Sequence, residues 1–284
     1  MQIAIDSYCY HRYFGEVYPG LESPPQQAMT LDEVIDRAIA FGVEGVSLES
    51  FMLDDASPER LTALRERLDE AGLARVWAWG HPDGLGSGSR PEALEDLFVH
   101  IEVARALGAG VMRICAGGRR TRPTSWADHR RDLLPLLRRA TERAEERGLV
   151  LAVENHVDLL ADELVELIEA VDSPALGVCL DTANNLRLFE DPMRAIETLA
   201  PYARATHLKD ITAYRGDPKS FGFWPSVPLG QGLIDIPATL RLLKQHGYQG
   251  LLALEIDYLH PAHGDEASAI GTSLDYLRHT LAKL

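Results

Sequence analysis

The sequence is poor in cysteine, in positive charge and in long apolar runs, and each shortage closes off a class of protein. Only three cysteines occur among 284 residues, Cys9, Cys115 and Cys179, at unrelated spacings and with no CxxC pair. That argues against a disulfide framework or a thiolate zinc knuckle and fits buried free thiols in a reducing cytoplasm. Lysine and arginine number 28 against 43 aspartates and glutamates, a formal net charge of -15. A surface of that sign repels phosphate backbones and anionic headgroups, so neither nucleic acid nor a membrane is an expected partner. No apolar run approaches the roughly 18 residues needed to span a bilayer. No basic segment followed by an apolar one opens the chain, so a soluble cytoplasmic protein is expected. A Gly-rich dinucleotide loop is also missing: the first apolar run is followed by Cys9-Tyr-His-Arg-Tyr-Phe rather than GxGxxG.

What is present is a steady alternation of short apolar runs with amphipathic helical stretches. The runs are Ile3–Tyr8, Gly45–Glu49, Arg75–Trp79, Val111–Cys115, Leu149–Glu154, Leu176–Leu180, Arg204–Leu208 and Leu251–Glu255. Helices are expected between them. One opens on the Thr30/Glu33 capping-box pattern, one on Ser57-Pro58, and others cover Pro91–Leu107, Trp126–Arg147 (with Pro135 as a candidate kink), Asp162–Val171, Pro192–Leu199, Pro237–His246 and Glu266–Leu281. Glycines at 42, 72, 108, 148 and 247 each sit between a helix and the next run. Eight β/α units without a linker predict an α/β protein with a single (β/α)8 barrel over residues 1–284. A doubly wound open sheet is the alternative. The segment 211–233 is long and punctuated by Gly and Pro, and is expected to be a loop or lid.

Four of the later runs end in metal-type ligands: Glu154, Asp181, His207 and Glu255. In a barrel the C-terminal strand ends form one rim, and these four belong to consecutive strands along half of it. A single Glu or His at a strand end is usually a cap or an ion-pair partner. Four on successive strands are harder to assign to four separate structural roles, because clustered buried carboxylates without a cation cost several kcal/mol each. Three carboxylates and one imidazole are an oxygen-rich set, suited to Mn2+ or to Mg2+ or Co2+. His156 shares a face with Glu154, and Lys209 with His207, because side chains alternate along a strand.

The motifs Val153-Glu-Asn-His156, Cys179-Leu-Asp-Thr-Ala-Asn184, His207-Leu-Lys-Asp210, Gly230-Gln-Gly232 leading to Asp235, and Leu254-Glu255 resemble the sugar phosphate isomerase/epimerase superfamily, the xylose-isomerase-like TIM barrels. Relatives in that family include ketose 3-epimerases, inosose dehydratase, 3-oxo-isoapionate decarboxylase, the barrel subunit of C-glycoside deglycosidases and endonuclease IV. The resemblance implies a Mn2+-type ion held by Glu154, Asp181, His207 and Glu255. It also implies proton abstraction next to a carbonyl of a keto-sugar or sugar-derived acid through a metal-bound enediolate, with Glu154 and Glu255 as the acid/base pair. Two positions depart from the epimerase pattern: Asn184 stands where a histidine is common, and Ala213 where an arginine is common. These departures raise a lyase outcome, in which the same enolate expels water, carbon dioxide or an aglycone, beside the isomerase or epimerase one. A DNA-repair nuclease would need a basic groove and further histidines, and a non-catalytic binding barrel would not need all four ligands.

The remaining site candidates are individually weaker. Lys209 and His156 are candidate acids or bases, Lys209 equally a salt-bridge partner. Asn184, Trp79, His81 and His11 are candidate pocket residues, whereas Trp77 is expected to pack in the core. Arg113 reads either as a clamp for an anion or carboxylate or as a salt bridge inside the barrel. Phe223 and Trp224 in the 211–233 segment could stack on a sugar face or aglycone, or against a second subunit. The expected partner is a small carbohydrate, with a homodimer or a second subunit plausible.

Overall fold

The alternation of apolar runs and helices closes on itself. The structure, a computed structural model, describes residues 1–80 and 83–284. Seven parallel strands follow one another around a barrel: β1 (Gln2–Asp6), β2 (Gly45–Glu49), β3 (Ala74–Ala78), β4 (Val111–Ile114), β5 (Val150–Glu154), β6 (Leu176–Asp181) and β7 (Ala203–Leu208). Two short strands, β8 (Asp210–Ile211) and β9 (Ser226–Val227), pair with each other outside it. The eighth barrel strand is β10 (Leu251–Leu254), which lies between β7 and β1 and completes the ring.

Helices α1 (Leu31–Phe41), α2 (Pro58–Glu70), α3 (Ala93–Ala106), α4 (Trp126–Glu145), α5 (Ala161–Val171), α6 (Pro192–Leu199), α7 (Ile236–Gln245) and α8 (Glu266–Leu281) carry the crossovers. Their ends follow the chemistry of the sequence. Thr30 accepts from the Glu33 amide while the Glu33 carboxylate takes the Thr30 amide, a complete capping box. Ser57 caps α2 with Pro58 at the first helical position. Gly42 takes a left-handed conformation (φ 64°) and donates to carbonyls of the last turn of α1, which a side chain there would strain. Helix α4 is assigned unbroken across Pro135.

The strands alternate between two environments. Outward-facing residues such as Ile5, Leu48, Trp77, Met112, Leu151, Val153, Leu180 and Leu208 pack in the large core against the helices. Inward-facing Ala4, Val76, Ala152, Cys179, Ala205, Leu251 and Ala253 form a second, smaller cluster that fills the barrel interior. It is tightly packed: a Cβ on Gly45 would lie 2.6 Å from Leu251 and 2.9 Å from the Ala74 carbonyl. Two residues further along several of the same strands the inward positions become Asp6, Glu154, Asp181, His207 and Glu255.

The 211–233 segment contains short elements of regular structure. Ile211 pairs with Ser226, and a single helical turn, Phe221–Phe223, lies between them. Its far end is fastened by Asp210, whose carboxylate accepts from the amides of Gly230, Gly232 and Ile234 at 2.9, 2.8 and 3.1 Å. A Cβ at Gly232 would meet Asp210 Oδ1 at 2.1 Å, so that close approach requires glycine.

Candidate metal and active site

The strand ends of the barrel surround a cavity of about 320 Å³, lined among others by Glu49, Arg113, Glu154, Lys209, Glu255 and Asp257. Glu154 lines it, and Glu154, Asp181 and His207 each offer a ligand atom within 4.8 Å of the others; all three are buried, and Asp181 and His207 are not among the cavity-lining residues. Strand register brings them together: Asp181 on β6 pairs directly with His207 on β7. Glu255, one residue beyond β10, borders this group with Oε2 3.0 Å from His207 Nδ1. His207 Nε2 lies 3.2 Å from Asp6 Oδ2 at the end of β1.

The donor set suits a cation. Asp6, Glu49, Glu154, Asp181, Glu255 and Asp257 are all buried here, against the buried side chains of Arg113, Arg187 and Lys209. Such a surplus of carboxylates is costly unless positive charge compensates it. Several of the central atoms also lack a hydrogen bond among the described residues: Asp181 Oδ2, Glu255 Oε2 and both ring nitrogens of His207. Asp181 Oδ2 and Glu255 Oε2 lie beside the Lys209 ammonium at 3.0 and 3.1 Å, and His207 turns Nδ1 toward Glu255 and Nε2 toward Asp6. Burial opposes a charge on His207, yet Cys179, Glu255 and Asp6 hold its pKa well above the usual histidine range.

Fixed partners orient each candidate ligand. Glu154 Oε1 accepts from Asn184 Nδ2 at 2.9 Å, and its Oε2 lies 3.3 Å from Arg113 Nε. Burial works against its ionisation, but Arg113, His207 and His156 outweigh that and keep its carboxyl below the usual range. Asp181 Oδ1 accepts from the amides of Ala183 and Asn184, both at 2.8 Å, leaving Oδ2 toward the centre. Arg113 is also paired with Glu49, whose burial pushes its carboxyl up to about 8 despite the guanidinium. The salt-bridge reading of Arg113 therefore describes its observed contacts, although it also lines the cavity.

Lys209 is 2% exposed, with Nζ 3.0 Å from Asp181 Oδ2, 3.1 Å from Glu255 Oε2 and 2.9 Å from Asp257 Oδ2. Burial disfavours its charge, but Asp181, Asp257 and Glu255 hold its pKa well above the usual lysine range, so it is a fixed ammonium. His156 lines the cavity with Nδ1 2.9 Å from the Gly117 carbonyl.

Other expected positions lie elsewhere. Trp79 is fully buried on the outer side of the barrel and donates from Nε1 to Asp96 Oδ2 on α3 at 2.7 Å. The period-two rule explains the correction: Trp77 and Trp79 share a face, and Trp77 faces His100 on the same helix. His11 stacks behind Tyr8, a cavity residue, with ring centroids 4.7 Å apart, and its Nε2 lies 3.1 Å from Glu22. Phe223 and Trp224 do not line the cavity, whereas Phe221 in the same turn does. His81 lies outside the described residues.

Sequence reasoning missed Asp6, Glu49, Asp257 and Arg187. Asp6 and Glu49 carry the same signal as Glu154, Asp181 and Glu255, a carboxylate at the end of an apolar stretch. Asp257 shares a face with Glu255 at a spacing of two. Arg187 lies in the short helical turn Asn184–Leu188 after β6, where no spacing rule predicts a cavity residue.

The chain is similar to known proteins in sequence and in fold. The chain is 32% identical over 240 residues to 2-epi-5-epi-valiolone 7-phosphate 2-epimerase of Actinoplanes sp., a match covering 81% of this chain and 83% of that protein. It is 29% identical over 188 residues to 3-oxo-isoapionate decarboxylase of Pectobacterium atrosepticum, covering 66% of this chain and spanning only 63% of the decarboxylase's length. Among solved structures, the IOLI protein with a bound zinc atom superposes with a TM-score of 0.74 at 15% identity, over 100% of this chain and 99% of that one. The family described as xylose isomerase-like TIM barrel matches residues 35–280, and the chain belongs to that family.

Proposed function

We propose that the protein is a divalent-metal-dependent enzyme of the isomerase/epimerase type, acting on a keto-sugar or sugar-derived polyol by removing a proton next to a carbonyl. The observation that carries this reading is the convergence of Glu154, Asp181 and His207, bordered by Glu255, with Glu154 and Glu255 reaching the cavity. These four residues would hold the ion, Mn2+ by preference or Mg2+ or Co2+, as an oxygen-rich donor set suggests. When bound, such an ion supplies Lewis-acid stabilisation of the negative charge that develops on a substrate oxygen.

The chain's own residues provide the rest. Glu154 is oriented by Asn184 and reaches the cavity, and is the candidate to accept a proton. Glu255, on a different strand end, is the candidate for returning a proton to another face. Lys209 contacts Asp181, Glu255 and Asp257 with a single ammonium, which holds them together and offsets part of their charge. His156 is a further candidate acid or base at the cavity wall. Tyr8, Tyr18, Phe51 and Phe221 bring aromatic surface to the cavity and would exclude water from a polyol.

A lyase outcome is the second reading, and the likeness to a 3-oxo acid decarboxylase favours it. A panel of keto-sugars and 3-oxo acids in deuterated water with Mn2+ separates the two. Deuterium incorporation without net loss supports the isomerase or epimerase, and release of carbon dioxide, water or aglycone supports the lyase. Full activity after exhaustive chelation would refute both.

A further inference from the structure

We propose that Arg187 is a positioning residue that couples the roof of the cavity, residues 212–225, to the carboxylates of the metal site. The inference rests on the metal-site reading above and concerns a residue that is not itself a candidate ligand.

Arg187 is 3% exposed and makes contacts in two directions. Toward the candidate ligands, Nη1 donates to Asn184 Oδ1 at 2.8 Å, and Asn184 Nδ2 donates to Glu154 Oε1 at 2.9 Å. Nη2 donates to Asp257 Oδ2 at 2.7 Å, and Asp257 in turn holds Lys209, which bridges Asp181 and Glu255. One guanidinium therefore reaches all three candidate carboxylate ligands through one or two intermediaries. Toward the roof, Nη2 also donates to the Trp224 carbonyl at 3.4 Å, and the guanidinium carbon lies 4.4 Å from the Phe221 ring centroid.

The roof has few other anchors over the cavity. Phe221 meets Tyr18 at 5.1 Å between ring centroids, and Gly222 approaches Leu21 so closely that a Cβ would lie 2.8 Å away. The base of the segment is tied elsewhere, through Ser226, whose hydroxyl accepts from the Asp257 amide at 3.0 Å. Asp257 is thus held from both sides, by its backbone to β9 and by its side chain to Arg187. A planar fork with donors fixed in direction can transmit a shift of the roof to Asn184 and Asp257 together, which a flexible ammonium cannot. Partners that orient metal ligands commonly set affinity by 10–100-fold.

The test uses Mn2+ alone as probe, titrated calorimetrically into metal-free full-length protein, with circular dichroism confirming the fold. Arg187→Lys keeps the charge and loses the fork, and is expected to weaken Mn2+ binding by about 10–100-fold. Phe221→Ala removes only the roof's aromatic contact, and is expected to weaken it several-fold in the wild-type background and not at all beside Arg187→Lys. A folded Arg187→Lys protein with wild-type Mn2+ affinity overturns the proposal. If that variant does not fold, wild-type affinity in Phe221→Ala overturns it. Wild-type protein that binds no Mn2+ refutes the metal-site reading itself, and this inference with it.

Discussion

The two ends of the barrel interior are built from the same strands and have opposite chemistry. At the base, Ala4, Val76, Ala152, Cys179, Ala205, Leu251 and Ala253 close the barrel with small and apolar side chains. Two residues along β1, β5, β6, β7 and β10, the same faces present Asp6, Glu154, Asp181, His207 and Glu255. The small apolar side chains at the base pack tightly, as the close approach of Gly45 to Leu251 shows. The rim carries buried charges that no apolar packing compensates, and they are held by Arg113, Arg187 and Lys209. The difference shows how a barrel separates stability from chemistry within a single strand: the residue at position n sets the packing and the residue at n+2 sets the site.

The comparison can be broken first at the rim. Glu255→Gln is nearly isosteric and removes the charge; it is expected to leave the melting temperature close to wild type. It is also expected to slow exchange of the substrate proton with solvent by about 10²–10⁴-fold, the range typical of a lost acid/base group. Wild-type exchange in that variant removes Glu255 from the proton-transfer pair. At the base the effects reverse. Leu251→Ala empties a buried position beside Gly45 and is expected to cost about 2–5 kcal/mol of stability by denaturant unfolding, with Mn2+ affinity unchanged in the folded protein. Gly45→Ala tests the same contact from the other strand and, by overpacking, is expected to cost about 1–3 kcal/mol. The smallest effect belongs to the outer face. Trp79→Phe deletes the hydrogen bond to Asp96 and is expected to cost about 1 kcal/mol with no change in turnover. A loss of turnover there would contradict the outward placement of Trp79.

Much of this was legible in the sequence, and the reasons are physical. Helix caps such as Thr30 and Ser57 and the helix-stop Gly42 set element boundaries through local hydrogen bonds, and local effects are readable from local residues. Strand ends carrying Glu154, Asp181 and His207 were readable because a barrel gathers its strand ends on one rim. Strand alternation puts Trp79 on the same outward face as Trp77, in the core between strand and helix. Phe221 was passed over for Phe223 and Trp224 because the direction of a side chain in a single irregular turn depends on what it packs against, here Arg187 and Tyr18. Arg187 itself was invisible for the same reason: its partners, Asp257 and Trp224, lie 70 and 37 residues away.

The central claim is that the rim's carboxylates and His207 are arranged around one cation. Anomalous diffraction from crystals soaked in Mn2+ tests it directly. The account predicts a single strong peak bounded by Glu154, Asp181, His207 and Glu255. A fully soaked crystal with no peak there, or with its strongest peak bounded by other residues, would contradict it.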